Sequence, residues 1–342
     1  MSPANQQTRM DADDARAALA STRRLDDVDL SGADLSGCDL SGCRLTHVTL
    51  AGANLREARL DDADCRAVSF AGAQLERMTA TQARFEDVDW SGANVGAADL
   101  SFAAFDRCDF TGASFAGARL ARSDAYGCVH VDTDYTKADL SRWTAPQSDL
   151  SRARFAGASL LKAFVRGSNL NGQDLRGCDL TMTMFDGAQL QNANLAGLLL
   201  DRTSFVGAQL QGAVLRGARG QYVGLIEAAL KQADLGDTHF DGVDATGADF
   251  GGAKFDGACW TRSVLSRSVF LAATLASARF NDCDLSHADL SGVDCSRADF
   301  SGANLHATVQ QDTRWSGAKL DGARQTDPVL ARAEQWQPRR AK

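Results

Sequence analysis

The run Leu30-Ser31-Gly32-Ala33-Asp34-Leu35-Ser36-Gly37-Cys38-Asp39-Leu40-Ser41-Gly42-Cys43-Arg44-Leu45 repeats its own pattern every five residues. A large apolar centre returns at Leu30, Leu35, Leu40 and Leu45. A small residue stands two places before each later centre, at Ala33, Cys38 and Cys43, and a glycine two places after, at Gly32, Gly37 and Gly42. Outward from this run the frame continues without insertion from Leu25 to Leu320, which makes sixty centres. A five-residue period fits neither a helix of 3.6 residues per turn nor an alternating strand. It fits a coil that turns once per repeat: the centre and the small residue before it face inward, and each repeat forms one side of a closed polygon. The glycines fall where such a turn needs a compact or left-handed residue.

Composition agrees with a repetitive core. With 31 glycines, 4 prolines and only 7% aromatic residues, the chain is skewed toward small side chains and away from a mixed globular interior. Residues 1–20 carry Asp11, Asp13 and Asp14 and no apolar run, so they read neither as a secretory signal nor as an anchor. Nothing later reaches the roughly 18 apolar residues of a spanning helix. The expectation is a cytoplasmic protein with no membrane partner.

Segments such as Ala33-Asp34-Leu35-Ser36-Gly37, Ala53-Asn54-Leu55 and Ala298-Asp299-Phe300-Ser301-Gly302 resemble the A(D/N)LXX unit of the pentapeptide-repeat family, and the likeness covers about nine-tenths of the chain. The resemblance implies an all-β fold, a right-handed quadrilateral β-helix (β-solenoid) with four repeats per coil. Sixty repeats then make about fifteen coils, roughly 70 Å at strand spacing. Residues 25–322 are expected to form this β-helix. Residues 1–24 are expected to form an N-terminal cap, partly disordered, with a short helix over Asp11–Ser21, and residues 323–342 a C-terminal helix or tail containing Asp327, Pro328, Val329, Leu330 and Trp336. Solenoid ends need capping. Family members that dimerise through their C-termini add the expectation of a homodimer through this segment.

The frame disarms most residues that suggest chemistry. Cys38, Cys43, Cys108, Cys128, Cys178 and Cys283 fall on small inward sites and Cys65 and Cys295 on centres, where cysteine behaves as a small hydrophobe. Cys108 and Cys128 stack one coil apart and are read as two reduced core thiols. Only Cys259 faces outward, with nothing nearby to mark it as reactive. His130 points inward and Asp132 and Asp134 outward, so they do not converge on a metal; His47, His239, His287 and His306 are read as far apart. No catalytic triad, phosphate loop or paired CxxC is present, and no cofactor or catalytic residue is assigned. The stretch 125–146, with His130, Tyr135 and Trp143 inside, is the most irregular, followed by Gly220, a glycine at a centre.

Two surface features remain. The side centred on Leu30, Leu50 and Phe70 is the most acidic, carrying Asp29, Asp89, Asp109, Asp132, Asp149, Asp249, Asp289 and Asp312. At another corner, two places after every fourth centre and so in one axial column, stand Phe102, Arg122, Arg142, Lys162, Met182, Arg202 and Tyr222, with Leu161, Phe164, Met184 and Leu199 beside them. Apolar residues beside cations are the composition of a protein interface. The expected function is a non-enzymatic scaffold or adaptor binding another protein, as in pentapeptide-repeat proteins that accompany bacterial secretion machinery such as type VI systems. The alternative that the resemblance supplies is a DNA mimic that binds DNA gyrase or topoisomerase and protects it from fluoroquinolones. Residues 25–330 carry a charge near −12 of the total of −8, whereas duplex DNA of this length carries about 40, so the mimicry is weak in total charge. The acidic balance also argues against direct nucleic-acid binding, and the tail Arg339, Arg340 and Lys342 is too short to reverse it.

Overall fold

The structure, a computed structural model, describes residues 7–334; Trp336, Arg339, Arg340 and Lys342 lie outside the described residues. The chain divides into two compact units, Met1–Ala188 and Gln189–Lys342. Each is a β-solenoid built on the same five-residue rule.

In the first unit, parallel pairing joins residue i to residue i+20 on four successive sides: Asp29 to Thr49, Asp34 to Asn54, Asp39 to Arg59 and Arg44 to Asp64. Four sides per twenty residues define the coil. On one side the pairing is regular enough for three-residue strands, and a six-stranded parallel sheet runs through β2 (Arg24–Asp26), β4 (Arg44–Thr46), β5 (Asp64–Arg66), β6 (Arg84–Glu86), β7 (Ala104–Asp106) and β8 (Asp124–Tyr126). At the N-terminal end β1 (Thr8–Arg9) pairs with β3 (Val28–Asp29), and α1 (Ala12–Thr22) lies on the first coil through buried Ala15 and Leu19. Asp11 caps α1 by accepting the Asp14 N–H, and Arg23, left-handed, ends it with an N–H to the Leu19 carbonyl. In the second unit a three-stranded sheet comprises β9 (Arg219–Gln221), β10 (His239–Asp241) and β11 (Cys259–Thr261), and α2 (Pro328–Glu334) follows the last coil.

Why the repeat wants Asp or Asn before each centre follows from backbone accounting. The centre donates to the next coil (Leu30 N–H to Thr49 carbonyl, 2.8 Å), as does the glycine (Gly32 to Ala51, 2.9 Å). The small residue closes the turn (Ala33 to Leu30, 3.0 Å), and the residue before the centre donates to the previous coil (Asn54 to Ala33, 2.9 Å). One donor of the five is left over, that of the residue after the centre. The Asp side chain takes it: Ser31 N–H to Asp29 Oδ1 is 2.9 Å, and the same bond recurs at Asp89–Ser91, Asp109–Thr111, Asp249–Gly251 and Asp289–Ser291.

The interior is continuous and mostly apolar within each unit. Leu and Phe centres and Ala sites are buried, and aromatic centres one coil apart stack, Phe85 on Phe105 at 5.1 Å and Phe250 on Phe270 at 5.0 Å between ring centroids. Volume trades off as the irregular stretch requires: Trp143 occupies a small site while Ala125 and Ala145 occupy the neighbouring centres, all buried. His130 and Tyr135 share this core, with the His130 Nδ1 2.9 Å from the Tyr135 hydroxyl. At Gly220 the β9 backbone itself moves in to fill the centre, lying so close that an added Cβ would meet the Leu200 carbonyl carbon and the Val223 Cγ2 at 3.0 Å.

Two expectations are corrected here. The units together contain about 13 turns, fewer than the about fifteen that the repeat count implies. At the C-terminal end Trp315 and Leu320 are centres by position but have no following coil to cover them and are not buried. Cys38 is half-buried rather than internal, because α1 covers only part of the first coil and leaves a recess between Arg16, Leu19, Arg23 and Cys38.

Candidate functional site

Nearly every corner places the residue two after the centre in left-handed backbone. In the first unit, one corner meets this requirement with Gly32, Gly52, Gly72, Gly92 and Gly112 (φ 62° to 70°) and, one coil on, with Asp132 (φ 56°). Another meets it with Phe102, Arg122, Arg142, Lys162 and Met182 (φ 58° to 62°), although left-handed backbone costs a residue with a Cβ about 1 kcal/mol. These five form one column, since the N–H of each of the first four donates to the coil above, Phe102 to Ala121, Arg122 to Ser141, Arg142 to Leu161 and Lys162 to Thr181, at 2.8–3.0 Å. Phe102 is half exposed with the Arg122 guanidinium over its ring at 5.4 Å. Arg122, Arg142 and Lys162 are exposed and make no ion pair among the described residues. By contrast Arg107, at a neighbouring corner, is paired with Glu86, Asp87 and Asp106.

Two residues further on, parallel pairing sets Thr144, Phe164 and Met184 in a ladder. Met184 is 46% exposed; Phe164 is half-buried under the Arg166 guanidinium at 5.8 Å, and Leu161 and Met182 are half-buried as well. Phe164 and Arg166 line a shallow recess with Pro146, Gln147, Gly167 and Asp186. In the second unit one left-handed corner carries Arg202, Tyr222, Gly242 and Arg262, Arg202 lying over the Tyr222 ring at 5.9 Å. Leu199, 54% exposed, pairs there with Arg219.

The acidic side proves to be largely backbone capping. In the first unit its ladder runs Asp29, Thr49, Ser69, Asp89, Asp109, Val129, then Asp149 to Asn169; in the second it runs Gln209, Ala229, Asp249, Val269, Asp289, Val309. Asp149 accepts both the N–H and hydroxyl of Ser151, which hold its carboxyl below the usual carboxylate range. Asp132, at a left-handed corner, is bound by Arg152 at 2.6 Å. Asp312 occupies a left-handed corner of the last, uncovered coil.

Among possible metal ligands, His130 is enclosed and burial lowers its pKa to about 4, while Asp132 and Asp134 pair outward with Arg152 and Arg154. The cysteines are free thiols; burial pushes Cys178 up to about 11 and Cys283 and Cys295 up to about 12. Cys259 is half-buried and has His239 as its strand partner, both lining an open recess with Arg219 and Asp241. The separation expected of His287 and His306 is overturned: their rings lie 5.6 Å apart, and Glu334 of α2 reaches both, at 3.5 and 3.2 Å. The trio has the residue types of a metal site. However, His306 Nδ1 accepts the Asp327 N–H at 3.1 Å, so the neutral ring carries its proton on Nε2, the atom a metal would need, and the trio works as a latch for α2.

Comparison with known proteins places the chain. The profile for pentapeptide repeats matches residues 24–62, 58–96, 96–129, 136–172, 148–181, 183–219, 225–259, 252–286 and 269–306, with breaks at 130–135 and 220–224 where His130 and Gly220 occupy centres. No curated protein matches the sequence. Among solved structures, full-length QnrB1, a plasmid-mediated fluoroquinolone resistance protein, is 16% identical over 79% of this chain and 96% of its own, with a TM-score of 0.32. HetL, a pentapeptide-repeat protein involved in heterocyst differentiation regulation in the cyanobacterium Nostoc sp. strain PCC 7120, is 21% identical over 92% of this chain and 98% of its own, with a TM-score of 0.17. No helix among the described residues is long and apolar enough to cross a membrane. With the profile repeating along most of its length, the chain belongs to the pentapeptide-repeat family.

Proposed function

We propose that the protein is a non-enzymatic interaction scaffold or adaptor that binds another protein through the face carrying Phe164, Met184 and the Phe102–Met182 column. The observation that carries this reading is the column Phe102, Arg122, Arg142, Lys162 and Met182, whose cations make no ion pair among the described residues, set beside half-buried Phe164 and exposed Met184. An exposed surface of mixed apolar and cationic side chains has the composition of a protein interface. The DNA-mimic alternative draws less support, since aspartates of its acidic side cap backbone donors and alternate with Thr, Ser, Ala and Val. A homodimer through the C-terminal coil is the further expectation, supported by the exposed Val309, Leu320, Val329 and Leu330, and a molar mass in solution twice that of the chain tests it.

The experiment is site-specific photo-crosslinking in the source cell with the probe at Met184, and at Asp289 for comparison. A defined protein captured from Met184 and lost in Phe164→Asp supports the scaffold reading, and a secretion component would place it beside that machinery. Capture of gyrase or topoisomerase from Asp289 alone would replace it with the DNA-mimic reading.

A further inference from the structure

The cation column of the first unit and the apolar ladder beside it differ in what they ask of a ligand. Arg122, Arg142 and Lys162 rise one coil at a time, about 4.8 Å per step, without carboxylate partners among the described residues. Phe164 and Met184 lie two residues along the same wall and present an apolar strip that Arg166 covers only in part. An extended peptide places alternate side chains on one face about 7 Å apart and its other side chains on the opposite face. Laid along the axis, such a strand sets two carboxylates within reach of three long cationic side chains and leans an apolar side chain onto Met184.

We infer that this face binds an extended acidic peptide segment of a partner protein, with Arg122, Arg142 and Lys162 taking its carboxylates and Phe164 and Met184 its apolar side chains. The inference rests on the scaffold reading and names the chemistry of the partner. A nucleic-acid strand fits less well: the next wall at this corner carries Asp99, Asp139 and Asp179 in one ladder with Arg119 and Ser159. A continuous phosphate backbone meets those carboxylates, whereas a short acidic segment passes between them.

The test is fluorescence anisotropy on the full chain with three labelled probes: a ten-residue peptide alternating Glu and Leu, its Gln/Leu counterpart, and a ten-nucleotide single strand of thymidine. The diagnostic variant is Arg122→Gly/Arg142→Gly/Lys162→Gly, which keeps the fold because glycine fills the equivalent corner at Gly52, Gly72 and Gly92 in the same conformation; Phe164→Ser/Met184→Ser removes the apolar half. The Glu/Leu peptide is expected to bind, to weaken about tenfold in the triple glycine variant, the combined size of three exposed ion pairs, and to weaken in the serine variant. Equal binding of the Gln/Leu peptide, no binding of the Glu/Leu peptide, or no loss in the triple glycine variant overturns the inference. Oligonucleotide binding that is tighter and lost in the same variant overturns it in favour of nucleic acid. If Met184 still captures a protein in the cell while the Glu/Leu peptide fails to bind, the acidic class falls and the scaffold reading stands.

Discussion

Asp149 and Ser151 are joined twice, the carboxylate Oδ1 accepting the serine N–H at 3.1 Å and its hydroxyl at 2.6 Å, with Asn169 of the next coil adding a third bond at 3.0 Å. The bond to the N–H supplies the one backbone donor per repeat that coil stacking leaves over. Asp149→Ala is therefore expected to lower stability by about 1 kcal/mol, the usual worth of such a cap. Asp149→Asn, which keeps an acceptor oxygen, should lose less than half of that. Urea denaturation of the two variants measures it, and equal losses would show that charge, not capping, is what the position supplies.

The same contact sets an acid limit. Hydrogen bonds from serine partners hold the carboxyls of Asp149, Asp294 and Asp299 below their ordinary value of 3.8. Because the folded pKa is depressed, the stability these groups contribute is present above about pH 4 and lost as pH falls through the folded values. Stability is expected to drop as pH falls below 4, and a flat profile there would mean that the caps contribute nothing.

His130 titrates in a different window. Burial lowers its pKa from 6.5 to about 4, so between those values the unfolded chain takes up a proton that the folded chain refuses. Stability is complete above pH 6.5 and falls toward pH 4, by on the order of 3 kcal/mol in total. His130→Phe is expected to flatten the profile of the first unit in this interval while leaving the steeper loss below pH 4 in place. If both proteins show the same slope between pH 6.5 and 4, the enclosed histidine is not its source.

How far these features were legible in the sequence depends on whether they follow the five-residue period. Inward and outward positions do, which is why Leu30, Ala53, Trp143 and His130 fall where the frame puts them. The role of Asp149 could not be read from periodicity, because the spare N–H emerges only after the other four donors of the repeat are assigned to partners. His287 and His306 were missed because they are nineteen residues apart rather than twenty. One sits two after its centre and the other one after, and their shared partner, Glu334, comes from a helix outside the frame. A search for near-multiples of the coil length would have paired them.

Gly220 shows the opposite case, a break in the rule with a steric cause. The backbone of β9 occupies the space of the missing side chain, so Gly220→Ala forces a methyl group to within 3.0 Å of the Leu200 carbonyl carbon and Val223. Restoring a residue that the repeat would ordinarily carry is expected to destabilise the second unit by about 1–3 kcal/mol through overpacking. Thermal denaturation of Gly220→Ala measures it; unchanged stability would mean that the strand relaxes outward at no cost.

The latch at the C-terminal end makes the last prediction. Glu334 accepts from His306 Nε2–H while the Asp327 N–H donates to Nδ1, so the imidazole is held at both ends. His306→Ala removes the bonds to Glu334 and to the Asp327 N–H at once, whereas Glu334→Ala removes the contacts to His306 and His287 and leaves the Asp327 bond in place. Hydrogen exchange over residues 328–334 is therefore expected to speed up in both variants, more in His306→Ala, with the buried coils upstream unaffected because Leu305 and Phe300 keep their packing. Zinc added to the unaltered protein should not slow this exchange, since coordination at Nε2 would require the ring to give up the Asp327 bond. Slower exchange with zinc, abolished in His306→Ala, would show that the trio prefers a metal to its own backbone.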